Sequence, residues 1–240
     1  RYQTDGSGLM NQEYIAPEVV TSPQEAFYAD KRSVRLEDSV GQVCSEFVMC
    51  YPPGIPILAP GERITAEILD YIRYAKEKGL FVIADIKRGD IGSTAEAYAD
   101  AWLGVTKVGE AFCGGFNADC VTLNGYMGAD SVNPFLKVAG ERDKSVFILA
   151  KTSNPGSGEL QNVAAGEGDT VYGLMADLIE KWGAGTEGKH GYTRAGAVAG
   201  ATYPEELQKL RARMPHTFLL VPGYGAQGGT AEDVQYAFDK

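Results

Sequence analysis

From residue 80 onward the sequence predicts an α/β fold built on a parallel sheet, and three observations predict it. Short apolar runs alternate with segments of helical period. The runs are continuous rather than alternating, as buried parallel strands require. The first run, Phe81–Ala84, turns polar at its carboxyl end with Asp85, Lys87 and Asp90. Strand-to-helix alternation of this kind implies right-handed crossovers, and chemistry in a β/α barrel sits at the carboxyl ends of the strands.

In order, the predicted strands are Phe81–Ile86, Cys120–Leu123, Ser145–Lys151, Ala195–Ala199 and Thr217–Val221. The predicted helices are Ser93–Lys107, Ser131–Ala139, Thr170–Trp182, Pro204–Arg213 and Thr230–Phe238. That makes five β/α units, where a closed barrel needs eight. Before residue 80 the pattern is different. Ser22-Pro23-Gln24-Glu25 reads as a helix start with proline at its first position. Ser33–Leu36 reads as a strand. Leu36–Met49 has near-helical spacing of Leu36, Val40, Val43, Phe47 and Val48 and is predicted to be an amphipathic helix. The proline-rich Tyr51–Pro60 cannot be helical. Thr65–Lys78 returns to helical spacing, with Ile68, Ile72 and Ala75 on one face and Gly79 as its C-cap.

Composition bounds the function. The net charge is -10 and the hydrophobic fraction 44%, with pI near 4.8. No basic cluster suits nucleic acid or an anionic membrane. No apolar run approaches a membrane span and no signal peptide is visible, so a cytoplasmic protein is expected. The chain begins at Arg1, as a trimmed fragment would. Cys44, Cys50, Cys113 and Cys120 form no C-x-x-C pair, and only His190 and His216 accompany them. Free thiols are expected, with no metal site.

Side-chain alternation puts Asp85 and Lys87 on one face of their strand. An ion pair closing a strand end is the ordinary alternative to a catalytic pair. The pattern Asp-x-Lys-x-x-Asp-Ile-x-x-Thr, Asp85 to Thr94, resembles the central motif of the orotidine 5'-phosphate decarboxylase family. Thr152-Ser-Asn-Pro-Gly156 and Val221-Pro-Gly-Tyr-Gly-Ala-Gln-Gly-Gly229 resemble that family too, in the right order. The resemblance runs from about Tyr71 to Lys240.

This likeness implies an incomplete TIM-barrel-like (β/α) fold whose five units would be the third to seventh. It implies decarboxylation of orotidine 5'-monophosphate to uridine 5'-monophosphate in pyrimidine synthesis, with neither metal nor organic cofactor. Lys87 would stabilise and protonate the C6 carbanion, and Asp85 would lie beside the departing carboxylate. Asp90, Ile91 and Thr94 match positions that reach the neighbouring subunit's site, which implies a homodimer; a helix-terminal charge is the alternative for Asp90. Ser153 matches a contact to the pyrimidine edge, or else is a turn residue. Asn124, just past a strand, is a weaker pocket candidate. Pro222, Gly225, Gln227 and Gly228 match the family's glycine-rich phosphate-binding segment, in which Gln227 would touch base and phosphate; a flexible glycine loop with no ligand is the alternative. The family's first-strand Asp, second-strand Lys and eighth-strand Arg have no counterparts here.

Residues 12–79 resemble something else. Ser22-Pro-Gln-Glu-Ala-Phe27, Leu36-Glu-Asp-Ser-Val-Gly41 and Tyr51-Pro-Pro-Gly-Ile-Pro56 with Pro60-Gly-Glu62 are similar to the C-terminal part of pyridoxal-phosphate-dependent ornithine/lysine/arginine decarboxylases. No Ser-x-His-Lys motif is present, so no cofactor residue is carried over. Two parts are expected, 1–79 and 80–240, joined as a chimaera. The rival readings are a pyridoxal-phosphate decarboxylase and an inactive nucleotide-binding fragment.

Overall fold

The computed structural model describes residues 15–32, 34–45, 48–50, 55–77, 81–108, 110–166, 168–223 and 228–238. The chain divides into two compact units, Arg1–Val82 and Ile83–Lys240.

In the first unit, helix α1 (Pro23–Tyr28) begins as its sequence requires. Ser22 and Glu25 form a reciprocal capping box, with proline at the first position. Leu36–Asp38 is a single 3-10 turn. Strands β1 (Val48–Cys50) and β2 (Ile55–Leu58) pair antiparallel. Helix α2 (Ala66–Glu77) follows. Leu58, Ile68 and Ile72 are buried together, with Leu36, Cys44 and Val48 packed against them.

Two expectations fail here. Ser33–Leu36 is not a strand: Ser33 lies outside the described residues, and Leu36 opens the 3-10 turn. Leu36–Met49 is not a helix. Gly41 takes φ 83°, a left-handed turn that ends any helix started at Leu36. Beyond it the backbone pairs with 61–64: Ile64 N–H donates to Gln42 C=O, and Cys44 N–H to Glu62 C=O, both at 2.8 Å. Val40 and Val43 of the supposed apolar face are exposed. The predicted C-cap Gly79 lies outside the described residues.

The second unit is built on five parallel strands. They are β3 (Ile83–Arg88), β6 (Cys120–Leu123), β7 (Ser145–Lys151), β8 (Ala195–Ala199) and β9 (Leu219–Leu220), side by side in that order. Between β3 and β6 lie helix α3 (Gly92–Trp102) and an antiparallel hairpin of β4 (Val105–Val108) and β5 (Ala111–Gly114). The remaining helices are α4 (Ala129–Arg142), α5 (Gly158–Gln161), α6 (Val171–Gly183), α7 (Pro204–Arg213) and α8 (Ala231–Val234). Each longer helix turns one stripe to the sheet, such as Ala95, Ala99 and Trp102 of α3. Those stripes meet Val121, Leu123, Val146, Ile148, Ala195 and Ala197 in the larger core. Ile83, Cys120, Phe147 and Val198 form a separate buried cluster with Leu149 and Leu220. Among the described residues the sheet does not close into a barrel.

Strands β6, β7 and β8 and helix α7 have the predicted bounds. β3 is shifted two residues toward its carboxyl end, and β9 shrinks to Leu219–Leu220. The predicted helix Ser93–Lys107 stops at Trp102. Gly104 breaks it, and the β-branched Val105, Thr106 and Val108 enter the hairpin. Thr230–Phe238 is one turn of α-helix continued as a 3-10 turn, Gln235–Ala237.

Candidate active site

The carboxyl end of β3 departs from regular pairing. Ala84 opposes Val121 and Arg88 opposes Leu123, so the intervening stretch of β3 bulges away from β6. Lys87 sits in that bulge at φ 44°, which is uncommon for a residue with a Cβ and characteristic of functional positions. The bulge takes the Lys87 amide out of the ladder. It donates instead to Thr122 Oγ1 on β6, at 2.9 Å. The same hydroxyl donates to Asp85 Oδ1 at 2.7 Å. Lys87 Nζ then meets Asp85 Oδ2 at 2.5 Å. Thr122, only 2% exposed, therefore fixes both members of the pair, one through its backbone and one through its carboxylate.

The electrostatics follow from burial. The Asp85 side chain is 13% exposed and that of Lys87 is 52% exposed. Asp85 is held from below by a hydroxyl and from the side by an ammonium, while the cation keeps one flank open. A cleft of about 310 Å³ beside it is lined by Lys87, Arg88, Gly89, Tyr98, Asn124, Tyr126 and Met127. Asn124 therefore lies beside Lys87. Its side-chain oxygen accepts from the Tyr126 amide at 3.0 Å, capping the 3-10 turn that follows β6.

Asp90 Oδ1 accepts from the Ile91 amide at 2.8 Å, a local turn contact just ahead of α3. Ile91 is the N-cap of α3, and its side chain is exposed, as is Thr94 in the first helical turn. These two point away from the packed core.

A second group stands at the ends of β7, β8 and β9, separated from β3 by β6. Ser153 follows β7 and packs directly on Gly200. A Cβ added at Gly200 would lie 2.9 Å from the Ser153 Cα, so the approach needs glycine. Ala201 N–H donates to Pro222 C=O at 2.8 Å, and Gly229 N–H to Gly223 C=O at 2.9 Å. Pro222 is thereby tied to the end of β8; Gly228 is exposed at φ 94°, and the next residue, Gly229, is buried. Gly225 and Gln227 lie outside the described residues.

Sequence reasoning missed Thr122 and Lys151. A hydroxyl inside the otherwise apolar run Cys-Val-Thr-Leu was the available signal for Thr122. Its partner is 37 positions away, and only strand pairing reveals it. Among the described residues no cluster of His, Cys, Asp or Glu has metal-holding geometry, and no helix is long and apolar enough to cross a membrane. Cys120 is fully buried, and burial pushes its thiol up to about 12, which leaves it protonated and unreactive at neutral pH.

A parallel β/α sheet with an Asp–Lys pair locked at one strand's carboxyl end defines a β/α-barrel class of site. The family model for the orotidine 5'-phosphate decarboxylase / HUMPS family matches residues 29–240. The chain belongs to that family. An orotidine 5'-phosphate decarboxylase of Rhodopirellula baltica is 40% identical over 230 residues, covering 92% of this chain and 75% of that protein. One of Clostridium perfringens is 43% identical over 163 residues, covering 68% of this chain and 54% of that protein. The solved structure of Leishmania donovani OMP decarboxylase superposes with a TM-score of 0.53 at 37% identity, covering 67% of this chain and 56% of that one. The chain thus spans three quarters of one of these relatives and little more than half of the other two. These matches give the pyridoxal-phosphate reading no support, and the family match begins well inside the stretch 12–79.

Proposed function

We propose that this chain catalyses decarboxylation of orotidine 5'-monophosphate to uridine 5'-monophosphate, in the cytoplasm, as a homodimer and with no group beyond its own side chains. The observation that carries the reading is the Asp85–Lys87 pair fixed by Thr122 at the end of β3. In this scheme the C6–carboxylate bond breaks, its electron pair stays on C6, and Lys87 Nζ gives that carbon a proton. The amine then regains a proton from solvent through its exposed flank.

Magnitudes decide which residue contributes more. A carboxylate about 4 Å from Asp85 is repelled by roughly 4 kcal/mol at an effective dielectric of 20. Even modest enzymatic acceleration needs about 8 kcal/mol. Repulsion alone is too small. Stabilisation of developing negative charge by an ammonium already in place is the larger contribution, and the fixed Lys87 backbone supports that assignment.

Ser153 contacts the pyrimidine edge in this reading, and Asn124 lines the pocket. Pro222, Gly225, Gln227 and Gly228 receive the phosphate. Asp90, Ile91 and Thr94 serve the neighbouring subunit's site; exposure of Ile91 and Thr94 suits that role. The division into an N-terminal segment, 1–79, and a catalytic portion, 80–240, is part of the same proposal.

The test is loss of orotidine 5'-monophosphate absorbance with the purified 25.7 kDa chain. Turnover proportional to protein concentration is expected. A folded chain that binds uridine 5'-monophosphate without turnover would contradict the catalytic claim while leaving a nucleotide site.

A further inference from the structure

Lys151 ends β7 and is 1% exposed, a position a cation rarely occupies without partners. Its ammonium donates to Ser157 Oγ at 2.8 Å and Asn162 Oδ1 at 2.9 Å. It lies 3.5 Å from Glu206 Oε2 on α7 and 4.5 Å from the centre of the Tyr203 ring. Asn162 Nδ2 donates to the other Glu206 oxygen at 3.1 Å. Alongside, Gln161 grips Thr152 twice. Its side-chain oxygen accepts from the Thr152 amide at 3.0 Å, and its Nε2 donates to Thr152 Oγ1 at 2.9 Å. The Thr152 hydroxyl in turn donates to Asn154 Oδ1 at 2.6 Å.

These contacts enclose one residue that they do not touch. Ser153 lies between Thr152 and Asn154, spanned by their exposed bond, and the chain from Lys151 to Asn162 is tied by the buried or half-buried bonds of Lys151 and Gln161. On its other side Ser153 meets Gly200, and its carbonyl accepts from Thr202 Oγ1 at 3.2 Å. We infer that Lys151 and Gln161 are positioning residues that hold the Ser153 turn against the ends of β8 and α7. This inference rests on the reading of Ser153 as a contact to the base. The cation sets where the turn leaves β7, and Gln161 sets the path of the residue just before Ser153. Through Gly200, Ala201 and Pro222 the same clamp reaches the strand end that precedes the glycine-rich segment.

The test measures uridine 5'-monophosphate affinity by calorimetry on the full chain, for Ser153→Ala, Gln161→Leu and Lys151→Met. Gln161→Leu keeps the buried cation and its partners, so it carries the test if Lys151→Met does not fold. Ser153→Ala and Gln161→Leu should each weaken binding about tenfold, the scale of one lost polar contact with its partner stranded. The double variant should be no weaker than either single one, because both act through the same contact. Amide hydrogen exchange of residues 152–157 should accelerate in Gln161→Leu while that of β6 stays unchanged. If Ser153→Ala weakens binding but Gln161→Leu does not, or if the two losses add, the positioning inference is wrong and the reading of Ser153 survives. If Ser153→Ala binds as tightly as the parent, the reading of Ser153 is wrong and the inference falls with it.

Discussion

Two lysines stand near the carboxyl ends of two strands of one sheet, in opposite surroundings. Lys87, the penultimate residue of β3, is half-exposed, on a left-handed backbone, with Asp85 as its carboxylate partner. Lys151 ends β7 fully buried, with a hydroxyl, an amide oxygen, a carboxylate and an aromatic ring around its ammonium. An ammonium has three protons to donate. Two of those of Lys151 go to Ser157 and Asn162, and its burial, 3.5 Å from the Glu206 carboxylate, leaves no open face for a ligand. Lys87 keeps an open flank on the cleft lined by Asn124 and Tyr126. A lysine's place at a strand's carboxyl end therefore does not assign its role. The surrounding acceptors do.

The largest effect that sharpens this contrast is chemical. Asp85→Asn keeps the shape and one acceptor for Thr122 but removes the charge facing Lys87. Turnover of orotidine 5'-monophosphate should fall by about 10²–10³-fold, the cost of removing one preorganised electrostatic group, in a steady-state assay. Lys151→Met should do the reverse kind of damage. It leaves Glu206 facing an apolar side chain and should cost about 3–5 kcal/mol of stability, read as a lowered midpoint in urea. A Lys151→Met protein as stable as the parent would break the comparison.

Thr122→Val comes next. It strands the Lys87 amide and removes a donor from Asp85 without changing the side chain's outline. The expected loss is about 1–3 kcal/mol, divided between stability and turnover and measured by parallel denaturation and kinetics. The smallest effect lies away from both lysines. Arg213 bridges Asp169 on the segment before α6 and Asp177 within it. Hydrogen bonds from Arg213 and the Thr170 amide hold the Asp169 carboxyl below its ordinary 3.8. A depressed carboxyl contributes stability that is complete above its unfolded value and is lost as pH falls through the folded one. Asp169→Asn should therefore flatten the acid limb of a stability–pH curve below about pH 4 and leave it parallel to the parent at neutral pH.

How much of this was legible in the sequence differs by region for a physical reason. β6, β7 and β8 are apolar runs stopped by polar or glycine residues at both ends, and their bounds were readable to the residue. Leu36–Met49 misled because helical spacing of apolar residues was visible while the backbone pairing of 42–44 with 62–64 was not. Residues 105–107 misled because a helix pattern was carried past Gly104 into β-branched residues. At the site, Asp85 and Lys87 were readable from local spacing. Thr122, which fixes them, was not, because it acts across 37 positions of chain. Lys151 carried no signal that separates a buried ammonium held by Ser157 and Asn162 from a half-exposed one.

The most direct measurement of the central claim is turnover of orotidine 5'-monophosphate by Lys87→Ala beside the parent chain, with uridine 5'-monophosphate affinity measured on both. Turnover should vanish from the variant while affinity stays within about tenfold, because in the proposed mechanism Lys87 stabilises the transition state more than the bound nucleotide. Undiminished turnover by a folded Lys87→Ala protein would contradict the assignment of Lys87 and the mechanism built on it.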